Sequence, residues 1–261
     1  MLDLVFKKPQ NSLMTKMKRS RNHRIIKNLL VVLAASVFLV SCSINEEEIT
    51  PGLTAYNESV VDYFKEVALG FEFGNESKIT RRWEGDMKLF IGGKPTPALL
   101  AETNRIVKEI NDLANNEFNV EVVSDSLQSN FYIFFGSGNS YAAIFPAQSS
   151  FVASNWGLFS ITFNNSNQLF KGHMYVDINR ANLIEQKHLL REELTQSLGL
   201  ARDSELYSES IFQQSFSTKI TEYAPIDRDL IRLLYHPKMK VGLDRDQVDK
   251  LLREILLAEQ P

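Results

Sequence analysis

The chain is short of cysteine, of glycine- and proline-rich spacers, and of long apolar runs, and each shortage narrows what it can be. Cys42 is the single cysteine in 261 residues, so no intramolecular disulfide can form. After about residue 55 there is no Pro/Gly/Ser linker, low-complexity tract or internal repeat, which favours one domain. The longest apolar run, "LLVVLAASVFLV" from Leu29 to Val40, is too short for a spanning helix. Basic residues are scarce beyond it. Residues 1–41 hold eight of the 29 Lys and Arg and one of the 32 Asp and Glu, leaving 21 against 31 and a net charge near −10. A surface that acidic repels polyanions, so nucleic acid is not an expected partner.

What is present at the start is a basic stretch, "MKRSRNHRIIKN" from Met17, followed by the apolar run and then small residues. That is the three-part layout of a bacterial secretory signal. It ends in Leu39-Val40-Ser41-Cys42, which resembles the lipobox of bacterial lipoproteins. The resemblance implies that Cys42 is lipidated, that residues 1–41 are removed, and that the protein is exported and membrane-anchored through its N-terminal lipid. The acidic tether that follows, "SINEEEITPG" within residues 42–55, looks like the surface-export signal of Bacteroidota lipoproteins or is a solvated linker. The expected address is the outer membrane, on its periplasmic or its outer face.

The remaining residues, 56–261, alternate helical and strand-like patterns. "YNESVVDYFKEVAL" has helical apolar spacing, with Asn57 or Ser59 as N-cap. "ITRRWEGDMKLFIGG" reads as one strand closed by Gly-Gly, and "PTPALLAETNRIVKEINDLAN" as a second helix with Pro near its start. "FNVEVVS" and "NFYIFFG" predict strands, and "GSGNSYAAIFP" a loop. A strand pair with a turn at "NNSN" precedes a long helix over about 183–198. A loop of roughly 25 residues and two closing helices, "DRDLIRLLYHP" and "DRDQVDKLLREILLA", complete the order. The pattern predicts an α+β fold in which a mixed sheet packs on long helices.

The long helix contains "HLLREELTQSLGL", His188 to Leu200. Its last nine residues take the frame of the zinc-peptidase pattern HExxHxxGxxH. In that pattern two imidazoles four apart share one face and one ion, and the Glu between them activates its water. On this frame Glu192 and Gln196 stand where the two His would, Glu193 where the general base would, Gly199 at the turn, and Arg202 at the third ligand. "SESIFQQ" resembles the metzincin Met-turn with Phe212 in place of Met, and "TEYAPIDRDLIRLLYHP" resembles the closing helix of matrixin-type metzincins. Together with "APIDRDLIRLLYHPKMKVGL", these segments resemble an uncharacterised family of bacterial zincin-like exported proteins, in which "EELTQSLGL" replaces the zinc motif. The resemblance covers roughly residues 58–245 and implies a single zincin-like domain with a degenerate site.

Physical chemistry argues against zinc on this helix. Gln196 offers a neutral amide oxygen, and Arg202 a fixed positive charge. At about 4 Å and an effective dielectric of ~20, each unit of metal charge would meet about 4 kcal/mol of repulsion. That opposes much of the ~10–16 kcal/mol quoted for structural zinc. The expectation is therefore no cofactor and no peptidase turnover, with Arg202 pairing to Glu192 or Glu193 in place of the ion. The competing enzyme reading is a metallopeptidase whose zinc is held by His188, Glu192 and Asp203.

Other candidates are weaker. Ser137 and Ser140 lack an indicated His, His173 reads as an ordinary strand residue, His236 as a helix-end contact, and His23 leaves with the signal. Trp83, Trp156 and Tyr141, if exposed, could floor a groove for sugar or peptide. The expected role is binding or scaffolding at the envelope, with an envelope protein, a peptide or a glycan in the former active-site cleft.

Overall fold

The computed structural model describes residues 52–71, 76–215 and 220–260. The expected secretory signal, Cys42 and most of the acidic stretch after it lie outside the described residues. Helix α1 (Ala55–Val67) is capped by the Thr54 hydroxyl, one turn earlier than Asn57 or Ser59. A two-residue strand β1 (Arg82–Trp83) and strand β2 (Met87–Gly93) follow, so the single strand expected over this stretch is broken at 84–86. Thr96 caps α2 (Pro97–Leu113), whose first residue is a proline with no amide to waste. Strands β3 (Val120–Val123) and β4 (Phe131–Gly136) come next, then helix α3 (Gly138–Ile144). The sequence reading took this last stretch for a loop. The Ser137 hydroxyl accepts from the Ser140 amide, and the Gly138 amide donates to Asp177, which is enough to start a short helix there.

Strands β5 (Gly157–Phe163) and β6 (Gln168–Asp177) form the expected hairpin, turning through Asn167 at φ 63°. Helix α4 (Leu183–Gln196) opens on a capping box between Asn182 and Glu185. Helices α5 (Pro225–Leu234) and α6 (Arg245–Ala258) close the fold. In the sheet, β3, β2, β4 and β6 run parallel in that order, and β1 adds to the start of β6. β5 alone is antiparallel, paired to β6. The described residues form a mixed α/β structure with six α-helices and a largely parallel sheet.

Residues alternate across the sheet. Leu89, Ile133, Met174 and Val176 face the helices, where they join Val60, Phe64, Leu190, Leu194, Leu230 and Leu252 in one core. The opposite face carries a second cluster of Phe134, Tyr175, Leu158, Tyr141 and Val152. Trp83 and Tyr141 are thus core residues and cannot floor a groove. His173 is not idle either. It stacks on Phe145 with ring centroids 3.7 Å apart, and its Nδ1 lies 2.5 Å from the Tyr141 hydroxyl. Burial, helped by Lys171, pushes its pKa down to about 4.

Two polar nodes fix α4 and the segment after it. Arg191 is fully buried, ion-paired to Glu102 at 3.1 Å and to Glu109 at 2.9 Å, with its guanidinium 4.3 Å from the Tyr223 ring. It ties α4 to α2. Asp227, also fully buried, accepts from the Ser210 hydroxyl at 2.6 Å and from the Ile211 and Ala224 amides at 3.0 and 2.9 Å. Burial pushes its pKa up to about 6, and the three donors restrain the rise. Tyr63 donates to the same Ser210 oxygen, so α1, the 210–212 turn and α5 meet at one carboxylate. Asp227→Ala removes the acceptor from three buried donors and is expected to cost about 2–4 kcal/mol in urea unfolding. A loss under about 0.5 kcal/mol would contradict this role.

Candidate functional site

The helix-covered face of the sheet ends at its antiparallel edge, and there a cleft of about 710 Å³ opens between β5 and α4. One wall is α4. Leu189, Glu192, Glu193 and Gln196 are spaced i, i+3, i+4 and i+7, so all four project from one side of the helix into the cleft. The other wall is residues 154–161 together with Phe163. Asp203, Gln213 and Gln214 close the third side, and Phe71 and Glu76 stand at one end.

The walls meet closely because Gly157 has no side chain. A Cβ there would lie 2.5 Å from Glu193 Oε1 and 2.9 Å from Leu189 Cδ2. On the far side the wall is braced by Arg180. Its guanidinium pairs with Asp177 at 2.8 Å and donates to the carbonyls of Val152, Ala153 and Asn155 at 2.8–3.0 Å. The sequence reading missed this brace. Its signal was an Asp and an Arg three apart at the end of a strand.

The chain leaves α4 through Gly199, whose φ of +119° and close approach to the Arg81 carbonyl admit no other residue without strain. It then returns to the helix. The Ser204 amide donates to the Phe212 carbonyl at 2.8 Å and the Gln214 amide to the Ser204 carbonyl at 3.0 Å. This stitching sets Asp203 against α4, where Gln196 Nε2 donates to its Oδ1 at 2.5 Å.

Five of the residues singled out from sequence therefore share the cleft: Trp156, Glu192, Glu193, Gln196 and Asp203. Arg202 does not. Its guanidinium donates to the Glu66 carbonyl at 3.2 Å and lies 3.9 Å from that residue's carboxylate. The expected pairing with Glu192 or Glu193 is replaced by one at the end of α1, where last-turn carbonyls attract a cation. Phe212 is fully buried and is not part of the cleft's described lining.

The partner of Glu192 comes instead from its own helix. His188, 1% exposed, places Nε2 3.2 Å from Glu192 Oε2 and Nδ1 2.6 Å from the Ile220 carbonyl. A carbonyl only accepts, so Nδ1 carries a proton; a second proton on Nε2 makes the ring the carboxylate's counter-ion. Burial works against that charge, but Glu192 and the Ile220 carbonyl outweigh it and raise the pKa.

These contacts bear on whether zinc fits. His188 has both ring nitrogens engaged, and Gln196 turns its amide nitrogen, a donor, toward Asp203. Among the described residues no three His, Cys, Asp or Glu side chains are grouped so as to hold a metal ion. The set His188, Glu192 and Asp203 does not fit one.

Gln196→Glu tests the contact with Asp203. It would put two carboxylates where a hydrogen bond stands, so one must hold a proton with a raised pKa. A raised carboxyl pKa means stability is lost as pH rises through it. With chelator present, the variant should be about 1–2 kcal/mol less stable than the parent at pH 7.5 and nearly equal to it at pH 4.5. Equal losses at both values would remove the contact from the account.

Comparison with known proteins adds the family. A search of curated proteins finds no match. Among solved structures, a crystal structure of myroilysin is similar at 12% identity and a TM-score of 0.36, covering 71% of this chain and 99% of that one. A likeness that slight carries no argument about activity. The family profile described as "Protein of unknown function (DUF2927)" matches residues 57–254, a span that takes in every element from α1 to the last turns of α6. The chain belongs to the DUF2927 family.

Proposed function

We propose that this protein is an exported, lipid-anchored component of the cell envelope whose zincin-like domain captures an extended polypeptide and does not hydrolyse it. The HExxHxxGxxH frame supports the zincin-like part. Glu192, Glu193 and Gln196 fall on one helical face in the cleft, and Gly199 makes the turn after them, as that frame requires. The lipobox at Cys42 supports the anchor.

The observation that carries the non-catalytic reading is the bonding inside the frame. Glu192 is held by His188, and Gln196 by Asp203. Peptide hydrolysis by this frame needs an ion to polarise the carbonyl and to generate hydroxide near neutral pH. In this reading the side chains at two of the frame's ligand positions are committed to His188 and Asp203, so Glu193, at the position of the general base, would act without the ion that the reaction requires.

Capture of a polypeptide rests on β5. Among the described residues this strand pairs only with β6, so its second edge offers a row of backbone donors and acceptors beside the cleft. An extended segment can complete that row, as in other β-augmentation sites. The seven residues of β5 span roughly 23 Å at ~3.3 Å each, enough for main-chain pairing to hold a strand. Pairing at an edge is independent of sequence, and side chains reaching into the cleft supply the selection.

The test is to incubate the purified protein with a random-sequence peptide library and follow both retention and cleavage. The expected result is retained, intact peptide, with slowed amide exchange confined to 157–163. Release of fragments that a chelator abolishes would replace capture with peptidase activity.

A further inference from the structure

The cleft's charge assigns a class to its occupant. Four carboxylates line it, Glu76, Glu192, Glu193 and Asp203, and no Lys, Arg or His is part of its described lining. The opposite wall is nearly without charge, since "GLFSITF" of β5 offers only two hydroxyls. Trp156, Phe159, Ile161, Phe163 and Leu189 surround the acids with apolar surface. Low-dielectric walls of this kind concentrate the field of the charges they enclose. Arg81 is outside the lining; it is held by Ser77 and lies over two lining rings, Phe163 at 4.3 Å and Phe71 at 5.2 Å. The portion beyond residue 41 carries a net charge near −10, so the field around the cleft has the same sign as the field inside it.

We infer that the occupant is a lysine- or arginine-bearing extended segment, bound along β5 with alternate side chains turned to the acidic wall of α4. This rests on the capture reading above. The strand edge provides the main-chain row and the enclosed volume provides the room. The carboxylates decide which side chains enter. In an added strand, successive side chains point to opposite faces, so every second residue meets the α4 wall and the others meet solvent. A basic side chain there relieves repulsion between the carboxylates. An acidic one adds to it and is rejected, which is specificity by exclusion. Glu193 and Asp203 lie on the α4 side of the cleft and are the residues expected to select, with Glu76 steering from the mouth.

Three synthetic peptides of one β-prone sequence test this, carrying Lys, Gln or Glu at alternate positions. Affinity for the full-length protein is read by fluorescence anisotropy, with amide exchange at 157–163 as a second readout. Affinity should fall by about tenfold from Lys to Gln and again from Gln to Glu. The spread should narrow in high salt, because interactions between exposed charges are screened within about 10 Å at 0.1 M. Glu193→Gln should reduce the Lys-over-Gln preference, and Glu76→Gln should slow association while leaving dissociation nearly unchanged. If Lys and Gln peptides bind equally and both protect β5, the charge inference is overturned while capture stands. If no peptide binds, or a neutral oligosaccharide is retained in their place, both fall.

Discussion

The cleft keeps its shape through a hydrogen bond between a helix and the loop that leaves it. Gln196 reaches Asp203 across the turn at Gly199, and the two close one side of the cavity. In a zinc peptidase of this frame an ion would join the same two elements. Here an amide and a carboxylate join them directly, and His188 Nε2 lies against Glu192 from within α4. Desolvating a carboxylate beside apolar walls is costly unless a partner offsets it, and a donor four residues earlier on the same helix is the cheapest partner to position. Arg202, which the frame would place at the third ligand, is bonded instead at the carbonyl end of α1.

The rest of the fold serves this arrangement by holding both walls rigidly. Behind α4, the Arg191 pairs with Glu102 and Glu109 fix the helix against α2. A buried cation with two acidic partners adds little net stability but strongly disfavours any other placement of the helix. Behind the loop, Ser210 and Asp227 fix the turn that carries Phe212. Facing them, Arg180 braces the segment before β5, and Gly157 lets strand and helix close to contact. Three independent anchors converge on one cleft. That is how a binding surface is kept in shape before its ligand arrives, which lowers the ordering cost of binding.

The helices were legible because their signals are local. Apolar spacing and caps such as Thr96-Pro97 and Asn182 with Glu185 mark α2 and α4 without any tertiary information. The strand pair around "NNSN" was legible for the same reason. Helix α3 was not, because its first turn depends on Asp177, 39 residues on from Gly138, and on a serine cap inside a glycine-rich stretch. At the site, the helical face bearing Glu192, Glu193 and Gln196 followed from spacing alone. The partners did not. Arg202 and Asp203 are neighbours in sequence, and only the left-handed backbone at Gly199 and the stitching at Ser204 decide which one returns to α4. Whether Trp83, Trp156 and Tyr141 were wall or core turned on tertiary packing, and of the three Trp156 alone lies on the cleft.

The central claim is that side chains do here what a metal ion would otherwise do. It is tested most directly by thermal unfolding of the purified protein in chelator and again with excess zinc. The account predicts the same melting temperature in both. A ligand at a hundred times its dissociation constant adds about 2.7 kcal/mol to a native state, so a true zinc site would raise the midpoint by about 5 °C or more. Such a rise, abolished by Glu192→Ala, would contradict the account.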